Sequence, residues 1–255
     1  MVGRMTDYAR FSWTVLLPVK VLARAKSRLA VLAGDRRHEL ALALASDTVS
    51  AVLACPEVAR VIVVTSDPVA GPRLARLGAH IIPEASGIPE ASAGPASPAG
   101  LAGPAEHESA DGRQHALNAA LLRGAAVAAR RWPGTGLAAL TADLPALRPA
   151  DLATALRAAG HGIPDAGFGP GPTFVPDAAG VGTTLYAVPP GEQFRPMFGG
   201  ASRARHAAAG AAELALDGIA GLRQDVDTPD DLRAAVALGV GPRTAEVAAE
   251  LLADV

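Results

Sequence analysis

Half of the 255 residues are hydrophobic but only 4% are aromatic, so a core here has to be built from Ala, Leu and Val. A net charge of -2 excludes the polycation that tracks nucleic-acid phosphates, and no apolar stretch approaches the length that crosses a bilayer. Residues 1–12 lack the apolar centre of a signal peptide, and the lone Cys55 fits a reducing cytoplasm and a small core residue better than a nucleophile.

In chain order, Thr14–Val19 is β-branched and Leu-rich and predicts a buried strand, followed by a basic loop. Apolar residues recur at helical spacing over Asp35–Leu53. Val58–Thr65 predicts the next strand, ending on the polar turn Ser66-Asp67-Pro68. A short helix over Val69–Leu77 and a strand over Ala79–Ile82 come next. Ala85–Ala110 is almost wholly Ala, Gly, Pro, Ser and Glu, which reads as a mobile surface insertion. A long Ala/Leu helix then spans Asp111–Trp132, with a strand over Leu137–Thr141 and a helix over Pro149–Ala159. After Asp165, Pro- and Gly-rich turns punctuate short segments up to about Leu222. Helices over Asp227–Leu238 and Pro242–Ala253 close the chain, the last packed on the outside. This alternation predicts an α/β domain over 13–240, a mostly parallel sheet with helices on both faces, with 241–255 packed on it.

Four constellations bear on chemistry. Of 23 basic residues only Lys20 and Lys26 are lysines, and both lie in the loop after the first strand, with Arg24 and Arg28. Four cations within nine residues suit a triphosphate, and a compact ammonium is not interchangeable with a planar guanidinium where phosphates crowd. The alternative is a solvated turn. The loop lacks the glycines of a P-loop or a dinucleotide fingerprint. Next, Ala139-Leu140-Thr141-Ala142-Asp143 puts a carboxylate at the end of an apolar strand, where Mg²⁺ takes one or two carboxylates plus phosphate and water. Third, Asp225 and Asp227 share one side of an extended segment before Thr228-Pro229, as metal ligands or as caps; Asp230 and Asp231 read as first-turn acids. Fourth, the glycine turns Gly180-Val181-Gly182 and Phe198-Gly199-Gly200-Ala201-Ser202 offer backbone N–H groups as oxyanion cradles, or are a hairpin and a surface loop. Asn118 opens an Ala-rich helix and faces either a base or solvent.

Together, Pro18-Val19-Lys20 with Ala25-Lys26-Ser27-Arg28-Leu29, Leu117-Asn118-Ala119-Ala120, Ala142-Asp143-Leu144-Pro145, Pro176-Asp177 with Gly182-Thr183-Thr184, and Asp225-Val226-Asp227-Thr228-Pro229 resemble the 2-phospho-L-lactate and phosphoenolpyruvate guanylyltransferases of coenzyme F-420 biosynthesis. The resemblance covers about Thr14 to Leu238 and implies a nucleotide-diphospho-sugar transferase-like fold. It implies GTP and a small phosphorylated carboxylate as substrates, with Mg²⁺ on Asp143 and one of Asp225 and Asp227, the latter preferred because it precedes Thr-Pro. Thr184, Gly199 and Ser202 would contact phosphoenolpyruvate. Lys20, Lys26, Arg28 and Asp143 would carry catalysis, and Pro18, Lys20, Lys26, Thr65, Asp67 and Asn118 the nucleotide. Ala116 departs from the glycine expected before Leu117-Asn118. A nucleotidyltransferase acting on molybdopterin or a sugar phosphate, or a catalytically silent nucleotide-binding regulator, are the rival readings. The first usually opens on a glycine-rich loop, and Val19–Leu29 contains no glycine.

Overall fold

A computed structural model describes residues 11–22, 27–84, 110–161 and 171–253. Arg24, Lys26 and segment 85–109 lie outside them, so the reading of an insertion there is left at the sequence level.

Strands β1 (Trp13–Pro18), β2 (Val58–Val64), β3 (His80–Ile82) and β4 (Gly136–Leu140) run parallel. They join β5 (Thr173–Pro176), β6 (Thr183–Val188) and the two-residue β7 (Ala212–Glu213) in one sheet of order β3-β2-β1-β4-β6-β5-β7. Only β6 runs against its neighbours, and it forms an antiparallel hairpin with β5. Helices α1 (Ala30–Ala33), α2 (Arg37–Leu53), α3 (Ala70–Leu77), α4 (Ala110–Arg131), α5 (Pro149–His161), α6 (Ser202–Ala208), α7 (Ala220–Arg223), α8 (Pro229–Leu238) and α9 (Pro242–Ala253) complete the described elements.

The period-two alternation of a strand divides the core between two faces. Val15 and Leu17 of β1 pack with α2, α3 and α5, whereas Leu16 packs with Ile62, Val64 and the Ala-rich face of α4. Both faces of the sheet are therefore helix-covered, which explains why its central strands read as unbroken apolar runs. A third cluster lies outside α2, where Leu40 and Leu44 meet Leu232 of α8 and Val247 and Leu251 of α9. Sandwiched in this way, α2 buries even Ser46, Asp47 and Thr48. Asp47 is used as an anchor: one oxygen accepts the Thr244 N–H at 2.7 Å and the other meets Arg243 at 3.1 Å, pinning the start of α9.

The element boundaries differ from the sequence expectation by one or two residues, mostly for local reasons. Asp35 falls in a 3₁₀ turn (Gly34–Arg36) that precedes α2. The helix expected from Asp227 starts at Pro229, because Thr228 caps it in a reciprocal box with Asp231. The larger difference follows Asp165. There the structure builds β5, β6, α6, β7 and α7 where the sequence suggests only short punctuated segments. Strands of four and six residues, buried on both faces, carry no alternation to betray them.

Candidate active site

The chain lays down β1, steps outward to β2 and β3, and then returns to place β4 on the other side of β1. The strand order reverses between β1 and β4, and the crevice at the carboxyl ends beside such a reversal is where open α/β sheets bind ligands. Leu16 pairs with Ala139 across this boundary. Lys20 and Asp143, each four residues further on, therefore leave the sheet from adjacent strands at the same edge. Pro18 ends β1 and Lys20 is exposed just beyond it. Arg28 is exposed on a 3₁₀ turn (Ser27–Leu29) whose Leu29 is buried.

Asp67 tethers the first loop at Leu22. Oδ2 of Asp67 accepts the Leu22 N–H at 2.8 Å, and Oδ1 accepts the N–H groups of Val69 and Ala70 at 2.9 and 2.7 Å. Thr65, also buried, receives the Asp67 N–H on its hydroxyl. Burial raises the Asp67 pKa, but the donors from Ala70, Leu22 and Val69 outweigh it and hold the carboxyl below its ordinary value. The geometry thus gives Asp67 the task of shaping the loop that carries Lys20.

Beside β1, the Thr141–Leu144 turn is pinned at three points. The Thr141 N–H donates to the Thr184 carbonyl at 3.0 Å, and the Asp143 carbonyl accepts the Val226 N–H at 3.1 Å. The Leu144 N–H donates to the Thr48 hydroxyl at 3.0 Å. The Val226 contact joins acids 82 to 84 positions apart in sequence, since Val226 is buried while Asp225 is half-buried and Asp227 exposed on either side of it. Asp231, through its capping oxygen, also accepts the Asp227 N–H at 3.1 Å and so fixes that residue's backbone.

This donor set suits a hard cation, being carboxylate and carbonyl oxygen without sulfur or imidazole. Among the described residues the buried Thr141 Oγ1, two positions before Asp143, has no hydrogen-bond partner, which calls for a polar group at this spot. No cluster of three or more His, Cys, Asp or Glu side chains able to hold a metal occurs among the described residues. An ion here would complete its shell from water and substrate phosphate, as Mg²⁺ commonly does. Asp143 and Asp227 or Asp225 are the residues that would hold it.

The start of β6 lies beside the end of β4 at the same sheet edge, and the turn before α6 is bonded to it through His206. Thr184 is fully buried and Ser202, the first residue of α6, nearly so. Gly199 sits at φ +96°, and a side chain there would also run into Gln114, so only glycine suits the turn. Asn118 is half-buried: its amide donates to the Phe198 carbonyl at 3.1 Å and accepts the Phe198 N–H at 2.9 Å, with a further bond to the Gln114 carbonyl. Its amide latches the turn to α4. The other glycine turn is closed upon itself, since Asp177 accepts the N–H groups of Val181 and Gly182 at 2.9 and 2.7 Å. The oxyanion cradle expected at Gly180-Val181-Gly182 is therefore corrected to a sealed hairpin turn.

With this geometry established, the chain can be set beside known proteins. It is 52% identical over 243 residues to the phosphoenolpyruvate guanylyltransferase of Thermomonospora curvata, covering 95% of this chain and 91% of that one. With the Streptomyces coelicolor protein of the same name the identity is 52% over 94% of this chain and 97% of the relative. The chain belongs to the phosphoenolpyruvate guanylyltransferase family. Streptomyces avermitilis supplies a further member at 53% identity over 94% of this chain and 95% of that one. No protein-family model matches the chain. A solved CMP:2-keto-3-deoxy-manno-octonic acid synthetase in complex with CTP is similar at a TM-score of 0.46 and 17% identity over 89% of this chain and 98% of that one, a likeness too slight to bear on function.

Two residues of this family member escape a reading of its sequence. Thr48 lies inside an Ala/Leu helix, and the only hint is the polar triplet Ser46-Asp47-Thr48 within an otherwise apolar run. His206 has no signal at all. It is fully buried in α6, and its Nδ1 lies 3.0 Å from the Thr183 hydroxyl while Nε2 accepts the Met197 N–H at 2.9 Å. Burial, aided by the nearby Arg205 charge, pushes its pKa down from 6.5 to about 4. A hydroxyl–imidazole pair thus exists where the sequence suggests none, but the imidazole is sealed from solvent with both nitrogens engaged. It is not a general base.

Proposed function

We propose that this protein transfers GMP from GTP to the phosphate of phosphoenolpyruvate in the cytoplasm, with Mg²⁺, as a step towards coenzyme F-420. The observation that carries the reading is the Val226 N–H bond to the Asp143 carbonyl, which brings the backbone between Asp225 and Asp227 to the Asp143 turn, on the strand next to the one that leads into Lys20. The family's name supports phosphoenolpyruvate, rather than 2-phospho-L-lactate, as acceptor. The lone buried Cys55, its thiol pKa raised by burial, supports a reducing compartment. Among the described residues no helix is long and apolar enough to cross a membrane.

In the proposed reaction a phosphate oxygen of the acceptor forms a bond to the α-phosphorus of GTP. The bond from that phosphorus to the β-bridging oxygen breaks, and its electron pair leaves with pyrophosphate. The attacking phosphate is already ionised near neutral pH, so no side chain has to remove a proton. The barrier lies in bringing two polyanions together and in the charge that develops on the leaving group, so catalysis is positioning plus fixed electrostatics. Lys20, with Lys26 and Arg28 of the same loop, neutralises the β- and γ-oxygens. Thr184, Gly199 and Ser202 orient the acceptor from the start of β6 and the turn before α6. Asp143 and Asp227 would hold Mg²⁺, which would supply charge neutralisation when bound.

The test is pyrophosphate release with Mg²⁺, offering GTP against ATP, CTP and UTP, and phosphoenolpyruvate against 2-phospho-L-lactate. Release that needs GTP and phosphoenolpyruvate together is the expected result. Equal release from any triphosphate, or none with either acceptor, would overturn the reading.

A further inference from the structure

We infer that His206 is a positioning residue of the acceptor subsite, setting the distance between the start of β6 and the Met197–Gly200 turn; the inference rests on the acceptor reading given above. The start of α6 is tied to the turn before β6 by the Arg203 N–H bond to the Val181 carbonyl, but the Met197–Gly200 turn lies further from that bond. His206 bridges that turn to the start of β6 directly, reaching Thr183 on one side and Met197 on the other.

The bridge is rigid for three reasons. First, the Met197 N–H donates to Nε2, so Nε2 carries no proton. The ring proton therefore sits on Nδ1 and donates to the Thr183 hydroxyl, so one neutral tautomer satisfies both contacts. Second, the ring is caged by aromatics. Tyr186 stacks on it at 4.6 Å and 14°, Phe174 lies at 5.8 Å and 30°, and Phe198 meets it edge-on at 5.5 Å and 77°. Third, the turn it holds is held elsewhere too, so it has few ways to relax. Arg205 donates to the carbonyls of Met197 and Gly199, and Asn118 takes both backbone groups of Phe198.

The Asp143 turn and the turn before α6 are linked through the same strand end. Thr183 turns its hydroxyl to His206, while the carbonyl of the next residue, Thr184, accepts the Thr141 N–H two residues before Asp143. Hydrogen bonds joined by short stretches of backbone thus run from the Asp225–Asp227 segment through Asp143 and Thr141 to Thr184 and Thr183, and on to His206 and the turn before α6. Without His206 the Met197–Gly200 turn would keep its bonds to Asn118 and Arg205 but lose its tie to Thr183, while the Asp67 tether at Leu22 would be unaffected.

The experiment compares His206→Asn with His206→Gln in the full chain, measuring KM for phosphoenolpyruvate and for GTP separately. Asn places a polar atom near the Nδ1 position only, whereas Gln reaches the Nε2 position and can again accept the Met197 N–H. His206→Asn is expected to raise the phosphoenolpyruvate KM about tenfold with the GTP KM changed little, because the half-buried Met197 N–H loses its acceptor. His206→Gln should return it to within about threefold of wild type, since the acceptor is restored. A phosphoenolpyruvate KM unchanged in the Asn variant, or both KM values raised alike, overturns the inference. Should the Asn variant fail to fold, a folded Gln variant with the phosphoenolpyruvate KM still raised about tenfold overturns it as well. Wild-type protein that releases no pyrophosphate from GTP and phosphoenolpyruvate overturns the acceptor reading and this inference with it, whereas active wild type with an indifferent Asn variant sinks the inference alone.

Discussion

Replacing Thr48 by Val tests whether the Asp143 turn is held from beneath. The Thr48 hydroxyl is fully buried, donates to the Leu44 carbonyl and accepts the Leu144 N–H at 3.0 Å. Val keeps the shape and removes the acceptor. The Leu44 carbonyl stands within α2, whose backbone ladder also serves it, so losing that bond costs little. Leu144 is fully buried, so its N–H is stranded, at a cost of about 2 kcal/mol. For a chain of this size that corresponds to a fall in Tm of about 5 °C. Because Leu144 follows Asp143 directly, the turn should also loosen, raising the Mg²⁺ concentration needed for half-maximal pyrophosphate release about fivefold. Thr48→Ser keeps the hydroxyl and should restore most of both quantities. Calorimetry and a Mg²⁺ titration of the two variants decide the matter. A Val variant that melts with wild type and shows the same Mg²⁺ dependence would refute the idea that α2 positions this carboxylate.

Asp143→Asn should lower turnover at least about a hundredfold while leaving Tm close to wild type, because the change removes charge at a polar cleft without opening the core. Near-normal pyrophosphate release would remove Asp143 from the site. Asp67→Asn leaves one oxygen where two served three N–H donors, so the Leu22 tether is lost and the GTP KM should rise about tenfold. Since the folded-state pKa of Asp67 lies below its ordinary 3.8, its stabilisation is present above 3.8 and disappears as pH falls through the lower value. A wild-type Tm no more sensitive than the Asn variant to acid below that point would contradict this. For His206 the folded value is about 4 against 6.5, so between these the unfolded chain holds more protons than the native one. Stability is full above pH 6.5 and declines by on the order of 3 kcal/mol as pH falls from 6.5 to about 4, with Arg205 as the neighbouring charge and Tyr186, its pKa raised by burial, neutral throughout. His206→Gln should flatten this part of the Tm–pH curve, and an unaltered slope would be the contrary result.

The candidate site residues can be picked out without coordinates because they break a local pattern. Lys20 and Lys26 stand out against 21 arginines, and Asp143 follows an apolar strand where a carboxylate has no packing role. Thr228-Pro229 with Asp231 announces a helix start through chemistry that acts within four residues. The same locality explains the first half of the fold, in which β1, β2, α3 and β3 fall within two residues of expectation. Where the pattern is not local, reading stops. Asn118 looks the same on paper whether it faces a base or latches Phe198, and Asp67 whether it meets a nucleotide or three backbone amides. Asp177 is legible only as a turn residue, and its capture of two N–H groups needs the hairpin to exist first.

Periodicity, capping and turn chemistry act between residues close in the chain, so the elements and their alternation are legible up to Asp165 and again in the last two helices, and half-identity over nearly the whole length settles the family. Tertiary structure alone decided which polar groups share a hydrogen bond. Thr48 with Leu144, Val226 with Asp143 and His206 with Met197 and Thr183 are brought together by packing against the sheet, and a buried donor accepts whichever partner the fold delivers, at any separation along the chain.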